Sequence, residues 1–411
     1  MLVAVNGFAG VASYVSNLIM ARSLGPVDYG VLSSALAVAV FLSIPAYAGM
    51  FVFIRLQAPG LAGAEIRQTE AGLERLGLTV SLAVTAATAI LAGSVFRLLR
   101  YASPLPLYLA AVTVVPNLFN LLNQGRLAGR KLFAQLAATR LAQALSRVAV
   151  SLAGLWFLGN LLLMFGAWML SYLTGWFSSA RFLKRAGAAG WSWRGPFFPP
   201  PGAAPGVSRL MLVTAGYAVL GEITLNTDVL VGKHFLAPAA AGVFALVASL
   251  GKVGIYLGAP VAMVMLAERG AGGPKKKGGN GVFVPALAAT GALGLVITGL
   301  YAAGGPVLRE MLGATYDLAG GGLVWFALGA TFYAVVNVCA TALCLNDQPA
   351  TLLPGVCGWA AFVAAAAVNH GSPLALSVDY LQANVLAALL AGILVVLRNR
   401  EPAPVRGWGS R

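Results

Sequence analysis

The chain has 411 residues, 59% of them hydrophobic and 9% charged, with 27 Lys and Arg against 12 Asp and Glu and a formal charge of +15. A soluble protein of this size carries roughly 25% charged residues, so a mean hydropathy of +0.84 excludes an ordinary water-soluble domain and most soluble chemistry with it. The composition predicts an all-α polytopic membrane protein: a spanning helix needs about 20 apolar residues, and the alternating ten-residue segments of an outer-membrane barrel are absent.

Taken in chain order, the apolar runs predict twelve spans. They lie near residues 2–21, 29–55, 76–96, 104–123, 141–158, 161–180, 210–232, 238–266, 282–304, 322–345, 349–369 and 378–397. No basic stretch precedes the first, which therefore reads as a retained helix rather than a signal peptide. Residues 181–209 are basic and rich in Pro and Gly and predict a linker. The organisation follows as a six-helix bundle over 1–180, the linker, a second bundle over 210–398 and a tail over 399–411.

Charge fixes the expected orientation. Twenty of the 27 Lys and Arg fall on the side of the two chain ends, five (Arg22, Arg97, Arg100, Lys233 and Arg309) on the opposite side, and Arg147 and Lys252 inside spans. Positive residues accumulate in cytoplasmic loops, so both termini are expected in the cytoplasm and the protein in the cytoplasmic (inner or plasma) membrane. The charge then needs no nucleic-acid partner. Lys275, Lys276 and Lys277 sit in a Gly-rich loop and read as a topology signal that touches anionic lipid. Cys339, Cys344 and Cys357 offer no disulfide framework or metal-ligand spacing. His234 and His370 are the only histidines, which argues against a histidine-based metal site; no cofactor is expected.

An internal repeat is legible. Leu24, Pro26, Gly30 and Val31 recur as Leu236, Pro238, Gly242 and Val243, at one constant offset of half the chain and always between two apolar helices. Either turn alone is ordinary, since Pro stops a helix and Gly permits tight turning. Together they predict two parallel six-helix repeats, an arrangement that places a substrate path at the repeat interface.

Polar residues inside the spans mark candidate sites, because each costs free energy in lipid unless it meets a cavity or a partner. Asn6, Ser13 and Asn17 share one face of the first span. Asn117, Asn120 and Gln124 form a stripe on the fourth, and Arg140, Gln143, Arg147 and Ser151 on the fifth. Glu222 and Asn226 stand one turn apart on the seventh, with Asp228 off that face. Hydrogen bonding between helices accounts for the Asn and Ser residues equally well. The deep acids and Lys252 are open to pairing with one another, as a structural lock or a gate. Arg147, six residues into its predicted span, is within snorkelling reach of the interface.

The stretch Ala21-Arg22-Ser23-Leu24-Gly25-Pro26-Val27-Asp28-Tyr29-Gly30 resembles a turn of the polysaccharide exporters. These are the oligosaccharide or O-antigen flippases of the multidrug/oligosaccharidyl-lipid/polysaccharide (MOP) superfamily. Asn226-Thr227-Asp228-Val229-Leu230-Val231-Gly232, running into Leu236-Ala237-Pro238, and the Gly125–Phe133 loop are similar more loosely. The resemblance implies twelve helices in two bundles around a central cavity and export of a lipid-linked sugar by alternating access. On that expectation, Arg22, Arg55, Arg147 and Lys252 are candidates for a polyprenyl pyrophosphate, which arginine grips through forked hydrogen bonds. Asn6, Asn17, Asn120 and Asn226 are candidates for sugar hydroxyls. Glu222 and Asp228 are candidates for gating or for a coupling Na+ or H+. Expected partners are the polyprenyl-linked glycan and membrane lipids, with room for a glycan polymerase or export partner. Two alternatives stand beside this one: a cation-coupled multidrug exporter of the same superfamily, and a membrane-embedded glycosyl- or acyltransferase. The transferase is disfavoured by the lack of an Asp-x-Asp pair or a His-rich loop.

Overall fold

A computed structural model describes residues 2–56, 63–156, 160–187, 205–256, 258, 280–313, 315–317, 322–344 and 349–400. Among the described residues there are twelve α-helices. They are α1 (Leu2–Leu42), α2 (Ile44–Leu56), α3 (Gly63–Leu98), α4 (Leu105–Gly129), α5 (Phe133–Trp156), α6 (Leu161–Arg185), α7 (Pro205–Phe235), α8 (Pro238–Gly251), α9 (Asn280–Leu312), α10 (Leu323–Cys344), α11 (Leu353–Val368) and α12 (Pro373–Arg400), with a 3-10 turn over Pro349–Leu352. The chain is an all-α polytopic membrane protein, as its composition predicts.

Helix boundaries follow from local chemistry. α1 runs through the first expected loop because the chain turns at a single residue, Gly25 (φ 72°, ψ 171°), and Pro26 restarts the helix with its fixed φ. The second span breaks at Ser43, whose backbone N–H reaches both Ala39 and Val40 carbonyls. Its hydroxyl donates to Ala39 O at 2.8 Å and accepts from Asn117 Nδ2 at 3.1 Å. A buried hydroxyl thus ties the break to α4. Ahead of α8, Ala237 is extended (φ −61°, ψ 151°) and Pro238 takes the first helical turn. At α6, the Asn160 side chain caps the N-terminus by accepting from Leu162 N–H at 2.8 Å.

Two bundles result, α1–α6 and α7–α12. In the first, α5 packs on α1 and α6, and α4 on α2, α3 and α6. In the second, α10 packs on α8, α9 and α12, and α12 also on α11. Cross-bundle packing runs through α1 against α8 and α7, and α2 against α7. The second bundle is centred on aromatic rings: Phe326 stacks on Tyr380 at 4.1 Å, with Phe244 and Phe362 edge-on.

Nine described helices are long and apolar enough to cross a membrane. α2 is short, and α5 and the described part of α7 do not meet that criterion. The fifth span also begins earlier than the sequence predicts, at Phe133 rather than 141. Arg147 therefore lies fourteen residues into its helix, about 21 Å along the axis at 1.5 Å per residue. Arg140, Gln143 and Arg147 lower the hydropathy that marks a span, so the sequence places its start too late.

Candidate functional site

The charges inside the bundles are compensated in two different ways. In the second bundle, α8 ends at Gly251, Lys252 caps it and the helix resumes at Val253. This break turns the Lys252 ammonium towards α7, where it donates to Asp228 Oδ1 at 2.8 Å and lies 2.7 Å from Oδ2. Both side chains are buried, and the ammonium also faces the Phe326 ring at 6.0 Å. Asp228 is about 120° round α7 from Glu222, which is why the acids serve different surroundings. The lock open to Lys252 and Asp228 on sequence grounds is formed. It corrects the expectation that Lys252 waits for a phosphate: its ammonium is already neutralised inside one bundle.

The first bundle holds Arg147 differently. Its guanidinium lies 3.6 Å from the centre of the Trp168 ring, and Nη2 donates to Ser171 Oγ at 3.2 Å. Arg147 is 8% exposed, its Nε has no hydrogen-bond partner, and no carboxylate pairs with it among the described residues. A desolvated cation–π contact contributes about 2 kcal/mol, whereas removing one ion from water costs several kcal/mol. The ring and hydroxyl therefore leave this cation undercompensated.

Arg147 lies within electrostatic reach of Tyr47 on α2, Tyr172 on α6 and Tyr256 beyond α8. Tyr256 in turn is within reach of Glu222 and Asp228. Tyr256 itself is 49% exposed. Arg147 packs against α6 of the first bundle, and Glu222 and Asn226 sit half-buried on α7 of the second, as Tyr47 does on α2. Asn226 Nδ2 donates to the Glu222 carbonyl at 2.9 Å and to its carboxylate at 3.3 Å. Glu222 forms no ion pair among the described residues.

The remaining candidates disperse. Asn120 is buried, accepts from Gln124 Nε2 at 2.9 Å and packs against Gly175. Gln124 also accepts from Arg140 Nε at 3.0 Å, so the α4 and α5 stripes close on each other as helix–helix hydrogen bonds. That corrects the sugar-binding expectation for Asn120. Ser151 and Ser16 share a hydrogen bond of 2.7 Å between α5 and α1. Asn17 is half-buried on α1. Arg22 is exposed at the end of the first span, apart from the Arg147 cluster, and donates from Nη1 to Met311 O at 2.9 Å. The side chains of Asn6 and Arg55 lie outside the described residues, as does the Lys275–Lys277 loop. Sequence reasoning missed Trp168 and the tyrosines Tyr47, Tyr172 and Tyr256. An aromatic residue inside an apolar span carries no periodic signal that separates a cleft wall from lipid-facing surface.

No protein-family model matches the chain, and no curated protein sequence matches it. Solved structures do. An inward-facing multidrug resistance MATE family transporter of the MOP superfamily is similar at a TM-score of 0.69 and 13% identity, covering 96% of this chain and 96% of that one. An outward-facing conformation of such a MATE transporter gives 0.67 at 14% identity, covering 96% and 93%. The lipid II flippase MurJ, in an inward closed conformation, gives 0.72 at 13% identity, covering 96% and 87%. At these identities the likeness is one of fold, and the chain has the fold of the MOP superfamily transporters.

Proposed function

We propose that the chain is an alternating-access transporter that flips a polyprenyl-(pyro)phosphate-linked oligosaccharide or polysaccharide precursor across the cytoplasmic membrane. The observation that carries this reading is Arg147: a buried guanidinium stacked on Trp168 inside a span, its Nε without a hydrogen-bond partner. Stripping a sugar pyrophosphate of water is too costly for it to cross hydrocarbon unaided. Beside Arg147 the anion gains charge-assisted hydrogen bonds to Nε, and Tyr47, Tyr172 and Tyr256 supply hydroxyls and ring faces for the sugars. The prenyl tail stays in the bilayer. Rocking one bundle against the other around this site exchanges its access from face to face. With both chain ends cytoplasmic, as the Lys and Arg bias supports, outward movement of each negative charge gains roughly 2.3 kcal/mol per 100 mV of inside-negative potential. No covalent bond is made or broken.

A second reading is favoured by a different wall. Glu222, free of ion pairing among the described residues and within reach of Tyr47, Tyr217, Tyr256 and Tyr333, suits a cationic, aromatic drug or a coupling cation. Two variants separate the readings. In proteoliposomes loaded with a fluorescent prenyl-pyrophosphate glycan, Arg147→Ala lowers flipping and Glu222→Gln spares substrate binding. In a drug-sensitised host, the exporter reading requires Glu222→Gln to abolish resistance while Arg147→Ala leaves it intact. Full flipping by Arg147→Ala removes the phosphate assignment.

A further inference from the structure

The structure holds a set of cross-bundle contacts on the face remote from the chain ends, and they obey the internal repeat. α3 ends with Arg100 in a left-handed turn (φ 53°), and Tyr101 N–H bonds back to Phe96 O at 2.9 Å. α9 ends with Gly313 in the same kind of turn (φ 82°), its N–H bonding to Arg309 O at 2.9 Å. Arg97 and Arg309, separated by the repeat offset, mark the equivalence of the two ends. Each turn is followed by a buried tyrosine: Tyr316 reaches the other bundle, whereas the Tyr101 hydroxyl donates to Ser34 Oγ of its own bundle at 2.8 Å and only its ring meets the other bundle, at Lys233. Tyr316 donates to Ala21 O at 2.9 Å, and Lys233, the repeat equivalent of Ala21, places its ammonium 5.5 Å from the Tyr101 ring centre.

One residue further on, the exchange repeats. Arg22 donates from Nη1 to Met311 O at the end of α9 (2.9 Å). His234, which the same offset pairs with Arg22, bonds through Nδ1 to Leu98 O at the end of α3, also at 2.9 Å. A carbonyl only accepts, so Nδ1 carries the proton. Between the two clasps, the repeat glycines touch: a Cβ on Gly30 would come within 3.1 Å of Gly242 Cα, and one on Gly242 would overlap the Pro26 carbonyl. Each clasp alone is a modest contact. The donors recur at the repeat offset and their acceptors, Leu98 and Met311, fall within one residue of it, on either side of the Gly30–Gly242 contact.

We propose that this constellation is a paired gate. Arg22 with Tyr316 and His234 with Lys233 and Tyr101 seal the remote face, and opening requires both clasps to release about the glycine contact. The proposal rests on the alternating-access reading, but on no choice between phosphate-linked glycan and drug. Arg22 is then a gate residue, not a phosphate ligand.

The test is thiol labelling. Ala241, buried in the seam beside Gly30, is replaced by Cys in a Cys357→Ser background, and the protein in lipid nanodiscs is treated with a charged maleimide. The intact gate protects Ala241→Cys. Arg22→Ala and His234→Ala each raise the labelling rate by about threefold to tenfold, as expected for one hydrogen bond, and the two together multiply. Gly242→Ala, which forces the seam apart, raises it without touching either clasp. Rapid labelling of the unaltered gate, or a rise with one clasp variant and none with the other, overturns the proposal. If Gly242→Ala does not fold, the clasp variants still decide, because Arg22 is exposed and His234 half-buried. Labelling reads the gate without transport, so its failure is distinct from failure of either substrate reading.

Discussion

Arg147 and Lys252 are both buried cations, one in each bundle, and the protein treats them in opposite ways. Lys252 meets a carboxylate at 2.7 Å and is closed off with it. Arg147 meets an indole face and one hydroxyl, with Nε left over. The first cation is neutralised by an opposite charge; the second is not. Burial alone therefore does not separate the two; the state of their compensation does.

The comparison breaks most readily at the lock. Lys252→Ala leaves Asp228 buried without its partner and is expected to cost about 3–5 kcal/mol in chemical unfolding. The combined Asp228→Leu, Lys252→Met protein recovers most of that loss, since a buried pair replaced by apolar groups of similar volume is often neutral. If Lys252→Ala unfolds like the parent, the lock has no structural weight. Arg147→Ala is expected to do the reverse: stability is kept, while transport falls about 10- to 100-fold, the size of a lost hydrogen bond to a charged group. Arg147→Lys recovers part of it, because an ammonium keeps the charge and loses the fork. Next in size, a double-mutant cycle between Arg147→Ala and Trp168→Leu is expected to give a coupling of about 2 kcal/mol. A coupling near zero would make the ring a bystander. The smallest effect is Ser16→Ala, about 1 kcal/mol for the α1–α5 hydroxyl pair, with transport unchanged.

The all-α membrane class and the half-chain offset were legible because lipid imposes length and polarity on each helix separately, and nine of the described helices are long and apolar enough to cross. So was the pairing open to Lys252 and Asp228. The start of α5 was not, since the residues that make it interesting are those that hide it from a hydropathy reading. The fate of Asn120 could not be read either: a stripe looks the same whether it faces water or Gln124. Least legible were Tyr316 with Ala21 and Arg22 with Met311, partners 295 and 289 residues apart that only the folded chain brings together. The repeat pointed to their neighbourhood but not to the contacts themselves.

Gly25 and Ala237 occupy matching places in the two repeats, yet their backbones disagree. Ala237 uses an ordinary extended conformation, while Gly25 sits at φ 72°, ψ 171°, a region that side chains essentially do not enter. Nothing lies within 4 Å of where a Cβ at Gly25 would stand. Space is free there and torsion is not, so the two elbows differ in what they admit: one excludes every side chain, while the other accepts alanine.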